Sequence, residues 1–219
     1  IRRQRQMCIR DRVDCLVKMF SNGGLPGMAR TSLTDPIWVT KIEHTDHPGI
    51  IGISICPGKK SPSVFGGMWD RDLELDLTAI KRAFDPTAIL TLMTDDELSA
   101  NKVPGLGQAV LDHGIEWFHI PIQDMTAPNE SFDSVWPEIA PAILRMIEQG
   151  DNVLIHCRGG LGRSGTLAAL LLIEFGVPNR QAIAQVRTER PGAIDIAEQE
   201  EYVHRYVPLA QQRSDTPLV

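Results

Sequence analysis

The 219-residue sequence predicts an α/β fold: a central, mostly parallel sheet flanked by helices on both faces. Two observations lead there. Short runs rich in Ile, Val and Leu alternate along the chain with longer segments whose apolar residues recur at helical spacing, the pattern of strand–helix–strand units. The composition, 42% hydrophobic and 23% charged, is that of a globular chain able to bury one sizeable core.

The elements follow in order. Residues 13–34 are mixed and broken by Asn22-Gly23-Gly24 and Pro26-Gly27, so residues 1–35 are read as a tail. Ile37–Ile42 and Ile50–Ile55 are β-branched runs separated by a Pro-Gly turn and are read as adjacent strands. Cys56-Pro57-Gly58 opens a loop expected to run to Trp69. Leu73, Leu77, Ile80 and Phe84 recur at helical spacing, and Asp85-Pro86 ends that helix. Ala88–Met93 is a buried strand, and Thr94 with Glu97 forms a capping box for a short helix.

Pro104–His113 is predicted helical up to Gly114, and Ile115–Ile122 is a strand followed by a loop carrying Asp124 and Pro128. Ser131 is the expected cap of a long helix through Gln149, with Pro137 and Pro141 as awkward interior residues. Asn152–His156 is a strand, Cys157–Gly162 a glycine-rich loop, and Arg163–Phe175 an apolar helix. Helices over Asn179–Arg187 and Asp195–Val207 complete a folded domain spanning 36–212, with 213–219 as a C-terminal tail.

Charge and cysteine content narrow the function. The chain carries 22 Lys and Arg against 28 Asp and Glu, a formal net charge of −6. Ile1–Arg12 holds five Arg and one Asp, so the remaining 207 residues carry 17 basic and 27 acidic side chains, a net −10. That balance argues against nucleic acid or a membrane surface as partner, while leaving room for an anion in a local positive pocket. Within Ile1–Arg12, Met7-Cys8-Ile9-Arg10-Asp11 resembles one translation frame of a transposase-end sequencing adaptor. Residues 1–12 are accordingly read as an artefact, the alternative being a genuine basic tail. No run of about 18 apolar residues marks a transmembrane span. Four cysteines, Cys8, Cys15, Cys56 and Cys157, are too few for a disulfide framework, so a cytoplasmic, reducing setting is expected.

The chemistry concentrates in Val153-Leu154-Ile155-His156-Cys157-Arg158-Gly159-Gly160-Leu161-Gly162-Arg163-Ser164-Gly165. An apolar strand feeds a cysteine, three glycines follow, and a helix opens at an arginine. Glycines let backbone N–H groups converge on one point, making a concave anion nest over Arg158, Gly159, Gly160, Leu161 and Gly162. The helix N-terminus adds its own N–H groups and dipole to that point. Such a nest suits a phosphate dianion and also lowers the pKa of a thiol, about 8.5 when free, by several units. Arg163 offers a planar fork to two oxygens. Ser164 is placed to donate a hydroxyl to the Cys157 thiolate, and His156 to orient the loop through ring hydrogen bonds. A Walker loop is excluded, because Gly162-Arg163-Ser164 stands where that motif needs Gly-Lys-Ser/Thr.

His156-Cys157-(five residues)-Arg163-Ser164 resembles the signature of the cysteine-dependent protein-tyrosine and dual-specificity phosphatases. The fuller loop is similar to the kinase-associated, cyclin-dependent kinase inhibitor 3-like branch. Cys56-Pro57-Gly58-Lys59, Thr91–Leu98, Val103-Pro104-Gly105-Leu106, Pro121-Ile122-Gln123-Asp124 and Gly192-Ala193-Ile194 extend that resemblance over roughly 50–207. It implies a protein-tyrosine-phosphatase-like fold. The implied activity is hydrolysis of phosphotyrosine, and of phosphoserine or phosphothreonine, through a phosphocysteine. Catalytic residues would be Cys157 as nucleophile, Arg163 as clamp, Ser164 assisting thiolate departure, His156, and Asp124 as general acid and then base. Asp124 lies 33 residues before Cys157; Asp133 is its competitor, better suited to a helix start. The implied partner is a phosphorylated protein, a kinase among the candidates, bound by a monomer; no metal or other cofactor is required.

Other readings stay open at this point. The same loop serves phosphoinositide or RNA 5′-phosphatases, and a non-catalytic phosphoprotein-binding module would keep its shape. Cys56 is read as a buried strand-end thiol rather than a redox partner of Cys157, and His44, Asp46 and His47 as unrelated to metal. Arg187 and Arg190 are placed either beside the loop or at a solvated helix end, and Gln199 near the hydrolytic water. No aromatic wall that would deepen the pocket is evident, so a shallow one is expected.

Overall fold

Val153, Leu154 and Ile155 are fully buried because helices cover both faces of the strand that carries them. The computed structural model describes residues 29–44, 46–63 and 67–214. Residues 1–28, including the adaptor-like segment with Cys8, and residues 215–219 lie outside the described residues. The elements are β1 (Thr40–Glu43), β2 (Ile50–Ser54), β3 (Lys60–Pro62), β4 (Met68–Asp70), α1 (Leu73–Phe84), β5 (Pro86–Thr91), α2 (Asp95–Ala100), α3 (Leu106–Asp112) and β6 (Glu116–His119). They continue with α4 (Glu130–Gln149), β7 (Asn152–His156), α5 (Gly162–Glu174), α6 (Asn179–Glu189), α7 (Ala197–Arg205) and α8 (Leu209–Ser214).

Five strands form one sheet in the order β1-β2-β7-β5-β6, with β1 antiparallel to β2 and the others parallel. Side-chain alternation divides the core. Ile51, Ile53, Ala88, Leu90, Val153 and Ile155 face one side, against Trp136, Ile143 and the apolar length of α5. Ile89 and Leu154 face the other, against Leu77 and Ile80 of α1 and Leu106 and Val110 of α3. The chain moves outward from β5 to β6 and then returns through α4 to insert β7 between β2 and β5. That reversal leaves a crevice beyond the carboxyl ends of the central strands, where ligands bind in folds of this kind. Among the described residues, no helix is long and apolar enough to cross a membrane.

Local chemistry sets the helix ends. Asp72 accepts the Leu75 N–H at 2.9 Å, and Asp85, left-handed at φ 46°, closes α1 ahead of Pro86. The Thr94–Glu97 capping box forms as the sequence predicts. The cap of α4 is Asn129 rather than Ser131: Asn129 holds extended backbone and its Oδ1 accepts the N–H groups of Ser131 and Phe132 at 3.1 and 3.3 Å. Ser131 is already helical and supplies a donor that the cap satisfies. The helix continues through Pro137 and Pro141.

Three further expectations are corrected. Pairing of β1 begins at Thr40, not Ile37, because β2 ends at Ser54 and offers the earlier residues no partner; Ile37 packs into the core unpaired. The stretch from Cys56 to Trp69 is not all loop: β3 and β4 pair antiparallel within it. Residues of the predicted tail belong to the fold. Arg30 exchanges backbone hydrogen bonds with Met68 and Asp70 at 2.8 and 3.1 Å, and the Asp35 carbonyl accepts from Arg71 at 2.6 Å. At the other end, α8 continues to Ser214, past the predicted limit of 212.

The hairpin is fixed by a buried ion pair. Arg71 and Asp76 are each 1% exposed and bond twice, at 2.7 and 2.8 Å, while Asp76 also accepts the Gly58 N–H at 2.8 Å. Breaking a pair this buried leaves one charge without compensation, at about 3–5 kcal/mol. Asp76→Ala should therefore lower the unfolding free energy by about that much in a denaturant titration. Lys60→Ala removes the exposed Lys60–Asp70 contact on the same hairpin and should leave the midpoint near wild type.

Candidate active site

β7, the central strand, ends at His156, and the chain then turns through Cys157–Leu161 into α5. Two glycines in this loop are dictated by space. Gly160 has φ +61°, and a Cβ there would lie 2.3 Å from the Ser54 carbonyl oxygen. At Gly162 a Cβ would lie 2.1 Å from Asp195 Oδ1. Gly159 faces open space and has no positive φ, so no steric demand falls on it.

The folded loop brings its N–H groups to the Cys157 sulphur. The Gly160 N–H points at Sγ from 3.2 Å. Burial alone would push this thiol up, but the Arg163 charge, the Ser164 hydroxyl and the N–H groups of Ser164 and Leu161 outweigh it. The net effect holds Cys157 below the ordinary thiol value. Ser164 Oγ is buried and makes no other hydrogen bond among the described residues.

Arg163 is 3% exposed, and its contacts join the segments that follow β5 and β6. Nη1 and Nη2 grip Glu97 at 2.7 and 2.9 Å. Nη1 also reaches the carbonyls of Ile122 and Leu92 at 2.9 and 3.4 Å, and Nη2 donates to Asp124 Oδ1 at 2.8 Å. Glu97 is the residue that the sequence reading missed here. Its Oε2 accepts both the Thr94 N–H of the capping box, at 3.0 Å, and Arg163. The position of Glu97, just past the carboxyl end of β5, was the available signal.

His156 is fully buried and takes its orientation from a chain of donors. Trp117 Nε1 donates to Thr91 Oγ1 at 2.8 Å, and Thr91 Oγ1 lies 2.8 Å from His156 Nε2. Nδ1 of the ring faces the Cys157 backbone. Burial drives the ring pKa down to about 3, so His156 is neutral at working pH. It orients the loop and carries no charge.

The resulting pocket, about 170 Å³, is lined by Cys157, Arg158, Gly159, Leu161, Gly162 and Arg163, with Asp124, Met125, Lys59, Pro62, Trp69, Asp195 and Gln199 around them. Asp124 therefore reaches the site, and Asp133 does not: it accepts a hydrogen bond from Tyr202 in the first turn of α4. Trp69 corrects the expectation of no aromatic wall. It sits on β4 of the unpredicted hairpin, with Lys59 Nζ 4.4 Å above its ring. Gln199 is buried, ties α7 to the Asp124 loop through the Thr126 carbonyl at 2.9 Å, and lines the pocket with its side-chain amide beside Gly162.

Of the two arginines ahead of Pro191, Arg190 reaches the loop and Arg187 does not. Arg187 pairs with Glu200 at 2.7 Å and caps the carbonyls of Ala193 and Ile194. Cys56 is fully buried just past β2, and burial pushes its thiol up to about 12. His44 and His47 stack on each other at 5.1 Å and on Phe175, beyond the opposite end of the sheet from Cys157.

An activated cysteine and a buried arginine at the mouth of an α/β crevice define a cysteine-dependent phosphatase. Residues 74–203 match the family described as Swiss Army Knife protein, DSP-PTPase phosphatase domain. That match spans more than half of the chain, and the chain belongs to this family of dual-specificity and protein-tyrosine phosphatases. It is 32% identical over 158 residues to cyclin-dependent kinase inhibitor 3 of Mus musculus, covering 71% of each chain. The Rattus norvegicus relative of the same name is 33% identical over 159 residues, again 71% of each. Among solved structures, the chain is similar to kinase associated phosphatase carrying serine in place of its catalytic-site cysteine. That match has a TM-score of 0.70 at 27% identity, covering 83% of this chain and 98% of that one. Tk-PTP in its active form is 30% identical with a TM-score of 0.55, over 78% and 99% of the two chains. The protein is a cysteine-dependent protein phosphatase of the dual-specificity class.

Two outcomes test this geometry. Gly160→Ala forces a left-handed backbone and a clash with β2, and should lower kcat/KM for para-nitrophenyl phosphate by about tenfold or more. Gly159→Ala should stay within about threefold of wild type, since a Cβ meets nothing there. In the second, alkylation of the Cys157 peptide by iodoacetamide, followed by mass spectrometry, should rise with a midpoint below the ordinary thiol value. Arg163→Met should move that midpoint upward, and Cys56, held near 12, should remain unreacted.

Proposed function

We propose that the chain hydrolyses phosphate monoesters on protein tyrosine, and on serine or threonine, through a phosphocysteine on Cys157. The observation that carries this is the 3.2 Å approach of the Gly160 N–H to a buried thiol whose loop also presents Arg163. A group of N–H donors that favours a thiolate equally favours the charge that gathers on the equatorial oxygens during transfer.

The thiolate attacks phosphorus in line, forming the S–P bond as the ester P–O bond breaks. The loop amides and Arg163 hold the three equatorial oxygens. Asp124 protonates the departing oxygen, a contribution of about 10²–10⁴ in rate. Here its carboxylate bonds to Arg163 Nη2. A phosphate oxygen that takes this donor releases Asp124 toward the leaving group, so substrate binding and deployment of the acid are linked. In the second step Asp124 takes a proton from water, which attacks phosphorus, and Cys157 departs as a thiolate assisted by the Ser164 hydroxyl. Gln199, which lines the pocket, is the residue assigned to position that water.

The reading of a protein substrate rests on the relatives' names and on the pocket rim, where Met125 is 63% exposed beside Asp124. A body of net −10 suits a polyanionic RNA poorly. The word kinase in those names makes a phosphorylated kinase a candidate substrate. Since Cys157 works only as a thiol, a reducing, cytoplasmic setting and action as a monomer complete the proposal.

Cys157→Ser should abolish turnover of para-nitrophenyl phosphate while retaining phosphopeptide binding; turnover like wild type would refute the nucleophile. Asp124→Ala should lower kcat by about 10²-fold or more and flatten one limb of the pH profile. A panel of phosphotyrosine peptide, phosphothreonine peptide and phosphoinositide tests the substrate class, and strong preference for the lipid would overturn the protein assignment.

A further inference from the structure

An anion nest works only if its peptide planes face the right way. A trans peptide is planar, so an N–H directed inward at Cys157 puts the carbonyl of the same plane outward. A glycine-rich loop does little to resist a plane flipping over. The outward carbonyls of this loop must therefore be held, and they are. Lys59 Nζ donates to the Arg158 carbonyl at 2.9 Å, supplemented by the Cys56 N–H at 3.5 Å. Arg190 Nη2 donates to the Gly159 carbonyl at 3.2 Å, and its Nε to the Gly160 carbonyl at 2.8 Å.

These three carbonyls belong to the planes that carry the N–H groups of Gly159, Gly160 and Leu161. Two of those N–H groups, of Gly160 and Leu161, are ones that stabilise the Cys157 thiolate. We infer that Lys59 and Arg190 are positioning residues that clamp the outside of the phosphate loop and thereby preset its N–H groups toward the reacting anion. The inference rests on the reading of this loop as the phosphate site.

The construction around the two cations supports it. Both are buried, at 4% exposure each, and each lies on an indole face: Lys59 Nζ 4.4 Å from the Trp69 ring centre, and the Arg190 guanidinium 4.1 Å from that of Trp38. An aromatic face shields a cation from water without competing for its donors, which leaves those donors for the carbonyls. Their delivery is local. Gly58, at φ 69° and packed against Leu73, turns the chain so that Lys59 faces the loop. Arg190 is the last residue before the Pro191-Gly192 turn, with its N–H still bonded to Val186 at 2.7 Å.

The test uses the whole protein and two readouts on each variant: the pH midpoint of Cys157 alkylation, and protection of Cys157 from alkylation by inorganic phosphate. Variants are Arg190→Leu, Arg190→Lys and Lys59→Met, with thermal unfolding measured alongside. Arg190→Leu and Lys59→Met should raise the alkylation midpoint and weaken phosphate protection by about tenfold, as loss of a charge-assisted hydrogen bond to the loop predicts. Arg190→Lys keeps the charge but cannot span two carbonyls, so it should restore only part of the protection. Variants with wild-type midpoints and wild-type phosphate protection would overturn the clamp, as would full restoration by Arg190→Lys. A wild-type protein that phosphate does not protect would instead sink the site reading itself, and the clamp with it.

Discussion

A guanidinium excluded from water must find partners for its donors within the protein, and Arg163 finds them in two segments, one after β5 and one after β6. Its Nη atoms bond to Glu97 at the start of α2, to Leu92 after β5, to Ile122 after β6 and to Asp124 in the following loop. Each partner comes from beyond the carboxyl end of a parallel strand, so the site exists only when β5, β6 and β7 are in register. The buried pair with Glu97 explains why the capping box of a six-residue helix matters to chemistry far away in sequence. Removing Glu97 would leave a buried positive charge with too few acceptors, the most destabilising way to break such a pair.

The same arrangement balances opposing demands on Cys157. Burial resists the thiolate, and the loop N–H groups, Ser164 and Arg163 favour it. Glu97 and Asp124 are both bonded to the Nη atoms of Arg163. His156 adds no charge, since burial keeps it neutral, and its contribution is a fixed ring plane. The positive potential is therefore local and built largely from backbone dipoles. That is how a chain of net −6 holds a site for a dianion.

What the sequence revealed and what it hid divide along physical lines. Strands β5 and β7 and helices α1, α5 and α6 were legible because each is an apolar pattern with a clear breaker, such as Asp85-Pro86 or Pro191-Gly192. The loop from Cys157 to Arg163 was legible because its residue types have few other uses together. The hairpin of β3 and β4 was not, since Lys60-Ser61-Pro62 and Met68-Trp69-Asp70 show neither alternation nor β-branching. Its pairing is held by the Arg71–Asp76 pair, whose carboxylate also reaches Gly58, and by Arg30, contacts that no local residue pattern announces. Hidden with it were Trp69 and the site role of Lys59. Glu97 was seen, but only in its local role, because a capping box gives a complete explanation of a glutamate at that position.

The residues that act behind the loop share a feature that separates them from those that face the ligand. Cys157, Gly160 and Arg163 act on the ligand side of the loop, where the chemistry of a thiol, a bare backbone or a guanidinium admits little substitution. Lys59, Arg190 and Glu97 act on the outer side, where what is needed is a donor or acceptor at a given point in space, reachable from many positions in a sequence. Inner residues are constrained by reaction chemistry and so form a motif; outer ones are constrained by geometry and so do not. Orientation of the Gly159, Gly160 and Leu161 N–H groups nevertheless depends on the outer set, because a loop flexible enough to fold into a nest is also flexible enough to unfold from it. The motif specifies which atoms meet the phosphate, and the surrounding cations and indoles specify that those atoms are facing it when it arrives.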